Sequence, residues 1–423
     1  MAFCLAARFT WAEEKESLSL ETLLSLALQE NPQLKSIQAQ GQAEGYRSKA
    51  ESGLDDPEIG IRFYQVPLDS APNKAMDIDY ILRQKIPFPG KRNITKQMIQ
   101  HETLHHLERL DSKQREIISK IKQNFFSLFA TKKMQQTNLA MQQTLQSLNK
   151  NIENEISAGK MDSSNYFSTL ANISQLKIEE ETLRQRETEL IANLRTLCAD
   201  KIEDKISLPQ KLEKPYWKVK VEELLEYAKT EHPELKLASH EIGKKELEIR
   251  AAKKSYAPDF SVQLEYIQHP QETTEGQKDA WTSEFMMSVP LWSKKNSSQV
   301  KKAQAELAAA QYDKINIQNE VNQKIRQSYS KFQSAQKTYE IVSKSLLSSL
   351  ENALTLSQTA YSAGKASFSS VLENTQKKQE AQIQQWKAFE EWGLALANLE
   401  EASGITQEEW NEKTKPIKTK EPL

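Results

Sequence analysis

The chain has 423 residues, with 57 Lys and Arg against 58 Asp and Glu and a formal net charge of −1. That balance supplies neither a basic footprint for nucleic acid nor an acidic tail. Only 11 Gly and 14 Pro are present, about half the usual ~12% share, which excludes Gly- and Pro-rich architectures and favours long uninterrupted helices.

The apolar segment Met1-Ala2-Phe3-Cys4-Leu5-Ala6-Ala7 runs to a small-x-small site at Thr10-Trp11-Ala12 and turns acidic at Glu13-Glu14. Residues 1–12 read as the remnant of a signal peptide without its positive start, although a frayed apolar N-terminus fits these residues as well. Cys4 follows the bulky Phe3, which argues against a lipid-anchor cysteine. With Cys198 as the only other cysteine, neither a disulfide framework nor a four-ligand zinc site can be built. No apolar run approaches the ~20 residues of a spanning helix, so crossing a membrane would require a closed β-barrel.

The next elements form a unit that occurs twice. Residues 20–39, LETLLSLALQENPQLKSIQA, return as 221–240, VEELLEYAKTEHPELKLASH. Pro87 with Lys91-Arg92-Asn93 returns as Pro290 with Lys294-Lys295-Asn296, and Ser157-Ala158-Gly159-Lys160 recurs unchanged as Ser362-Ala363-Gly364-Lys365. Because the order is kept and the offset only drifts from 201 to 205, one ancestral unit has been duplicated. The first repeat covers 18–200, a linker 201–219, the second repeat 220–404 and an irregular tail 405–423.

Each repeat has one plan. In the first, a helix over 20–30 stops at Asn31-Pro32, and a second covers 32–54. Strands over 58–65 and 77–86 precede a helix over 91–158, a Gly turn and a helix over 161–198. The second repeat gives a helix over 233–255, strands over 259–266 and 281–289, a helix over 294–363, a Gly turn and a helix over 367–402. At ~1.5 Å per residue the 91–158 helix would measure roughly 100 Å, and the two shorter helices of its repeat nearly match it when stacked end to end. Apolar residues step by three and four at Ile118, Ile121, Phe125 and Leu128, and on heptad-like steps from Ile325 to Leu346, as helix-packing faces require.

The strands alternate. Ile59, Ile61 and Phe63 oppose Arg62 and Tyr64; Ile78, Tyr80, Leu82 and Ile86 oppose Asp77, Asp79, Arg83 and Lys85. Phe260, Val262, Leu264 and Tyr266 oppose Ser261, Gln263 and Glu265, and Trp281, Phe285 and Met287 oppose Thr282, Glu284 and Ser288. Segments of this length with one apolar and one polar face suit tilted transmembrane strands, though a half-buried soluble sheet would alternate too. Four strands cannot close round a charged lumen; three copies would supply twelve. The polar loops 67–75 and 269–280 would then be hairpin tips facing outside.

The duplication, the L-x-x-x-A-L-x-x-N-P-x-L opening from Leu23 to Leu34, the strand–Pro–long-helix joints and the S-A-G-K turns resemble the TolC-like outer membrane efflux family over about 18–404. The joints Pro87-Phe88-Pro89-Gly90-Lys91 and Ser288-Val289-Pro290-Leu291 resemble its heavy-metal-efflux branch. The resemblance implies a mostly α fold with a small β part. In it a homotrimer forms a 12-stranded outer-membrane β-barrel, four strands per chain, continued by a long α-helical periplasmic tunnel. It implies an exit duct of a tripartite efflux or type I secretion system, not an enzyme and without a cofactor, joined to a periplasmic adaptor and an inner-membrane pump. Metal ions or small toxic compounds are the expected cargo. The adaptor would meet the turns Ser157-Ala158-Gly159-Lys160 and Ser362-Ala363-Gly364-Lys365.

In the family, acids six and nine residues after the second turn glycine narrow the tunnel. Here those positions are Ser370 and Glu373, with Asn165 at the sixth position after Gly159, so a constriction would rest on Glu373. A ring of three such carboxylates would resist full ionisation and attract cations.

Two other readings compete. His101-Glu102-Thr103-Leu104-His105 matches the H-E-x-x-H zinc-protease pattern, but it lies amid Gln, Lys and Arg without an evident third ligand; solvated histidines, or a weak metal site with His106, account for it better. A periplasmic coiled-coil structural or adaptor protein without a barrel would explain the helices, but not the duplicated pair of alternating strands.

Overall fold

Local chemistry sets the first helix boundaries in this computed structural model, which describes residues 19–66, 68, 70–72, 75–157, 163–202, 208–269 and 278–414. Helix α1 (Leu20–Glu30) begins where the Ser19 hydroxyl accepts the Thr22 amide at 3.1 Å, an N-cap of the usual kind. It ends at Asn31, whose side-chain Oδ1 in turn accepts the Gln33 amide at 2.9 Å and so starts α2 (Pro32–Glu51), with Pro32 at the first helical position. The duplicate of this joint separates α5 (Val221–Glu231) from α6 (Pro233–Lys254).

The remaining helices are α3 (Lys91–Ser157), α4 (Ser163–Leu197), α7 (Ser293–Ile341), α8 (Leu347–Ser362), α9 (Phe368–Ser403) and α10 (Gln407–Thr414). Two of these depart from the sequence expectation. The 294–363 helix is interrupted by a π-helical turn at Val342–Leu346, and the tail expected to be irregular carries α10. Residues 1–12, with Cys4, lie outside the described residues, as do Ala158, Gly159 and Lys160.

The four strands β1 (Glu58–Tyr64), β2 (Asp77–Ile86), β3 (Asp259–Gln268) and β4 (Ala280–Ser288) form one antiparallel sheet in the order β1-β2-β3-β4. The central pairing, with Tyr80 opposite Tyr266 and Leu82 opposite Leu264, joins the two repeats.

The chain divides into two compact units. One holds the residues up to Lys35, Asp111–His232 and those from Glu320 onward; the other holds Ser36–Leu110 and Pro233–Asn319. Both repeats contribute to both units. The sheet belongs to the second.

In the first unit the core is aromatic. Trp392 is fully buried and lies 5.4 Å, centroid to centroid, from Tyr339 and 4.6 Å from Tyr216. Phe389 joins them to Phe126 and Phe129. Gly393 is a packing necessity here: a Cβ would stand 2.3 Å from the Phe126 ring. A second cluster, formed by Met141, Leu145, Ile152, Ile173, Leu176, Phe368 and Leu372, binds α3, α4 and α9 together.

A buried charge group fixes the tail. Lys122 donates to Glu400 at 2.8 Å and to Glu408 at 3.0 Å, and the Gln407 amide donates to Glu400 at 2.8 Å. Burial pushes the Glu400 carboxyl up to about 6 despite the Lys122 charge beside it. Burial opposes charge on Lys122 as well, yet Glu400 and Glu408 hold its ammonium above the ordinary lysine range.

Two outcomes follow from this packing. Gly393→Ala is expected to lower stability by about 1–3 kcal/mol through overpacking against Phe126, read as the thermal unfolding midpoint. The folded pKa of Glu400 lies above its unfolded value, so this group's stabilising contribution is full below about 4.5 and is lost as pH rises through about 6. The stability of the wild type relative to Glu400→Gln should therefore increase between pH 7 and pH 5, by up to about 2 kcal/mol, in parallel denaturation series.

Candidate functional site

The sheet has two chemically opposite faces. Ile59, Ile61, Phe63, Tyr80, Leu82, Leu264, Trp281, Phe285 and Met287 share one face, and all are exposed; Ile59 is 82% and Phe285 79% accessible. An exposed apolar surface of this extent marks a contact with lipid or protein. The aromatic side chains Tyr80, Tyr266 and Trp281 stack toward the loop end, with Tyr266 and Trp281 4.9 Å apart. Phe88 and Phe260 stack at the opposite end. Aromatic rings at both ends of an apolar band are what membrane–water interfaces select.

The other face is charged and connected. Arg62 bonds Asp79 at 3.3 Å and Glu265 at 3.2 Å. Arg83 donates to Gln263 at 2.7 Å, and Lys85 to Glu58 at 2.7 Å. Such a face cannot be turned to hydrocarbon.

At the joint into α3, Gly90 takes φ +94°, a conformation that favours glycine. Asp259 accepts both the Phe88 amide and the Lys91 ammonium at 2.8 Å, which ties this joint to the start of β3.

Among the turn residues, Ser157 ends α3, while its partners Ala158, Gly159 and Lys160 are outside the described residues. The second turn is fully described. Gly364 has φ +69°, its amide donates to Tyr361 at 2.9 Å, and the Lys365 amide donates to Ala360 at 2.8 Å. This is a Schellman end, in which a left-handed residue lets the last carbonyls of α8 find donors. Ser362, Ala363, Gly364 and Lys365 are all exposed. Tyr361 donates to Glu155 at 3.2 Å, connecting α8 to α3.

Beyond the turn, the Ser370 amide is held by the Ser367 hydroxyl at 3.3 Å, in the first turn of α9. Asn165 accepts from the Ser369 hydroxyl at 3.2 Å, so the starts of α4 and α9 touch. Glu373 is exposed and lies 2.6 Å from the Lys377 ammonium. That hydrogen bond, with the lysine charge, holds the Glu373 carboxyl below the usual glutamate range. The family's acidic positions include Glu373 but not Lys377. Within one chain the carboxylate is compensated, and the i,i+4 spacing was the available signal.

The His101–His105 segment is joined by residues that its motif does not contain. His106, His240, Glu241, Glu44, Arg47 and Lys244 share with it a cavity of about 230 Å3. The His101 and His240 rings stand 6.0 Å apart, and Gly243 makes room, since a Cβ there would stand 2.5 Å from the His101 ring. Glu102 bonds Arg47 and Lys244, each at 2.8 Å. Partial burial works the other way, but these two cations keep its carboxyl below the ordinary range. A carboxylate so engaged is a poor general base. Among the described residues no three His, Cys, Asp or Glu side chains are arranged to hold a metal.

Residues 224–405, essentially the second repeat, match the family of outer membrane efflux proteins. No curated protein matches the chain. Solved structures resemble nearly all of it. The outer membrane channel MtrE of Neisseria gonorrhoeae, in its open state, superposes with a TM-score of 0.76 at 15% identity, over 91% of this chain and 89% of that one. The CmeC outer membrane channel of Campylobacter jejuni gives 0.74 at 14%, over 93% and 88%, and the outer membrane protein VceC of Vibrio cholerae 0.73 at 14%, over 92% and 97%. The second repeat thus carries the sequence signature of outer membrane efflux proteins, and the chain as a whole shares the fold of these outer membrane channels. At these identities the likeness is one of fold.

Gly364→Val should strain the second turn by about 1–2 kcal/mol without any steric clash, since no atom lies within 4 Å of the Cβ position. Faster amide exchange at residues 364 and 365, with the sheet unchanged, is the expected readout.

Proposed function

We propose that three copies of this chain form the exit duct of a tripartite efflux system. Their sheets close into a 12-stranded outer-membrane barrel, and their helices form the periplasmic tunnel. The duct is passive: an inner-membrane pump supplies the energy, and a periplasmic adaptor meets the hairpin turns around Ser157–Lys160 and Ser362–Lys365. Metal ions or small toxic compounds are the cargo we favour, on the sequence of the strand–helix joints. Glu373, Ser370 and Asn165 are assigned to the constriction, with Lys377 moderating the charge that Glu373 presents to a passing cation.

One observation carries this reading. Among the described residues, the sheet exposes an apolar face with ring-bearing ends, has a charged second face, and leaves both β1 and β4 without a partner strand on one side. In lipid every backbone donor and acceptor must be satisfied within the protein, and closure with further copies does this while placing the charges in a lumen.

Membrane fractionation and the mass of the detergent-extracted protein test it. Outer-membrane recovery at roughly three times 48.5 kDa is expected. Ile61→Asp or Val262→Asp, each placing a charge on the apolar face, should each abolish assembly while the chain remains detectable in the periplasm. A soluble wild-type monomer would refute the duct.

A further inference from the structure

The proposed duct sets β4 of one copy against β1 of the next, and two constraints limit how they can meet. The first is facial. Residues of β1 with odd numbers, such as Ile61, and of β4 with odd numbers, such as Phe285, lie on the apolar face; Arg62 and Glu284 lie on the charged one. A slip of one residue would turn one strand's apolar set into the lumen, so only pairings that match like faces survive. The second is coverage. The seven residues of β1 and the nine of β4 satisfy the whole β1 edge only if β1 lies entirely within β4.

Two antiparallel registers meet both conditions. One sets Arg62 directly opposite Glu284. The other sets Arg62 opposite Thr282, with Glu284 on the diagonal, a separation that a long arginine side chain spans.

Either register brings the same two charged groups within reach. On the charged face Glu58 pairs with Lys85, Asp77 with His269, Asp79 and Glu265 with Arg62, and Asp259 with Lys91. Among the described residues, Glu284 is the one carboxylate of that face with neither a hydrogen-bond nor an ion-pair partner. Arg62 is 52% exposed, and both of its ion pairs, to Asp79 on β2 and Glu265 on β3, use Nη1, so Nε and Nη2 make no ion pair among the described residues.

Resting on the trimeric duct reading, we propose that Arg62 of one copy pairs with Glu284 of the next across each of the three seams. The partner surface is thus a second copy of this chain, recognised by charge as well as by backbone pairing. The pair extends the Asp79–Arg62–Glu265 group into the neighbouring copy and can form in either register that keeps the apolar band continuous.

The test uses the full chain carrying Arg62→Cys and Glu284→Cys together, in outer-membrane preparations treated with a short bifunctional thiol reagent that reaches either register. A covalently linked trimer on a denaturing gel is expected, with no such band from either single variant. A trimer of native mass that fails to cross-link would overturn the pair and leave the duct standing. A wild-type chain recovered as a monomer would overturn both. As a second measurement, Glu284→Lys sets like charges together and is expected to lose most of the heat-resistant trimer band; wild-type heat resistance in that variant would also overturn the pair.

Discussion

A β-sheet in a membrane must satisfy its edge amides and carbonyls, and the rest of this molecule's assembly depends on that requirement. The two outer strands each leave one row of backbone groups unpaired, while the apolar face invites hydrocarbon and the Arg62 network forbids it. A single chain has no way to reconcile these demands. The proposed closure with further copies would reconcile them at once, because it removes the edges and separates the two faces into an outside and a lumen. The glycine and proline residues at the strand–helix joint, and the Asp259 contacts that hold it, set the point where two-residue alternation gives way to helix.

The helices show how a duplicated unit diverged. α4 and α9 descend from the same ancestral helix. In α9 the positions Phe389, Trp392, Leu396 and Leu399 are buried in an aromatic core. The positions 205 residues earlier in α4 are Arg184, Glu187, Ile191 and Leu194, and only Leu194 is buried. α9 buries residues along most of its length, whereas α4 buries fewer positions and carries Arg184 bound to Glu180 and Glu181 along its exposed surface. The offset drift from 203 to 205 between the copies falls within the long helix. The π turn at Val342–Leu346 lies within that stretch of the second copy.

Much of this was legible in the sequence because it depends on period and punctuation. The alternation over 77–86 located β2 at its observed bounds, and Asn31-Pro32 marked a helix joint because asparagine caps and proline begins a helix. Features that arise from tertiary proximity were not legible. His240 meets His101 only because α6 and α3 pack together, and no local pattern links positions so far apart. The charge group of Lys122, Glu400 and Glu408 is likewise assembled from three helices, and it orders α10 in a tail whose composition suggested none. The Glu373–Lys377 pair, by contrast, is local: its i,i+4 spacing is legible in the sequence. The interleaving of the repeats into two units was equally hidden, since repeats report ancestry and not which segments pack together.

That interleaving governs the order of events as the chain is made. The first 200 residues contain one complete copy of the ancestral unit, yet β2 must wait for β3, its partner some 180 positions later, and α3 must wait for α9 to fill the space against Phe126 and Phe129. Neither unit is complete until its second-repeat segments have been synthesised. Contacts of such long sequence separation form slowly and leave early segments exposed. A nascent chain of this design therefore stays unfolded for most of its synthesis, a state compatible with threading through a narrow translocation pore and one that needs protection by holding factors until its last hundred residues arrive.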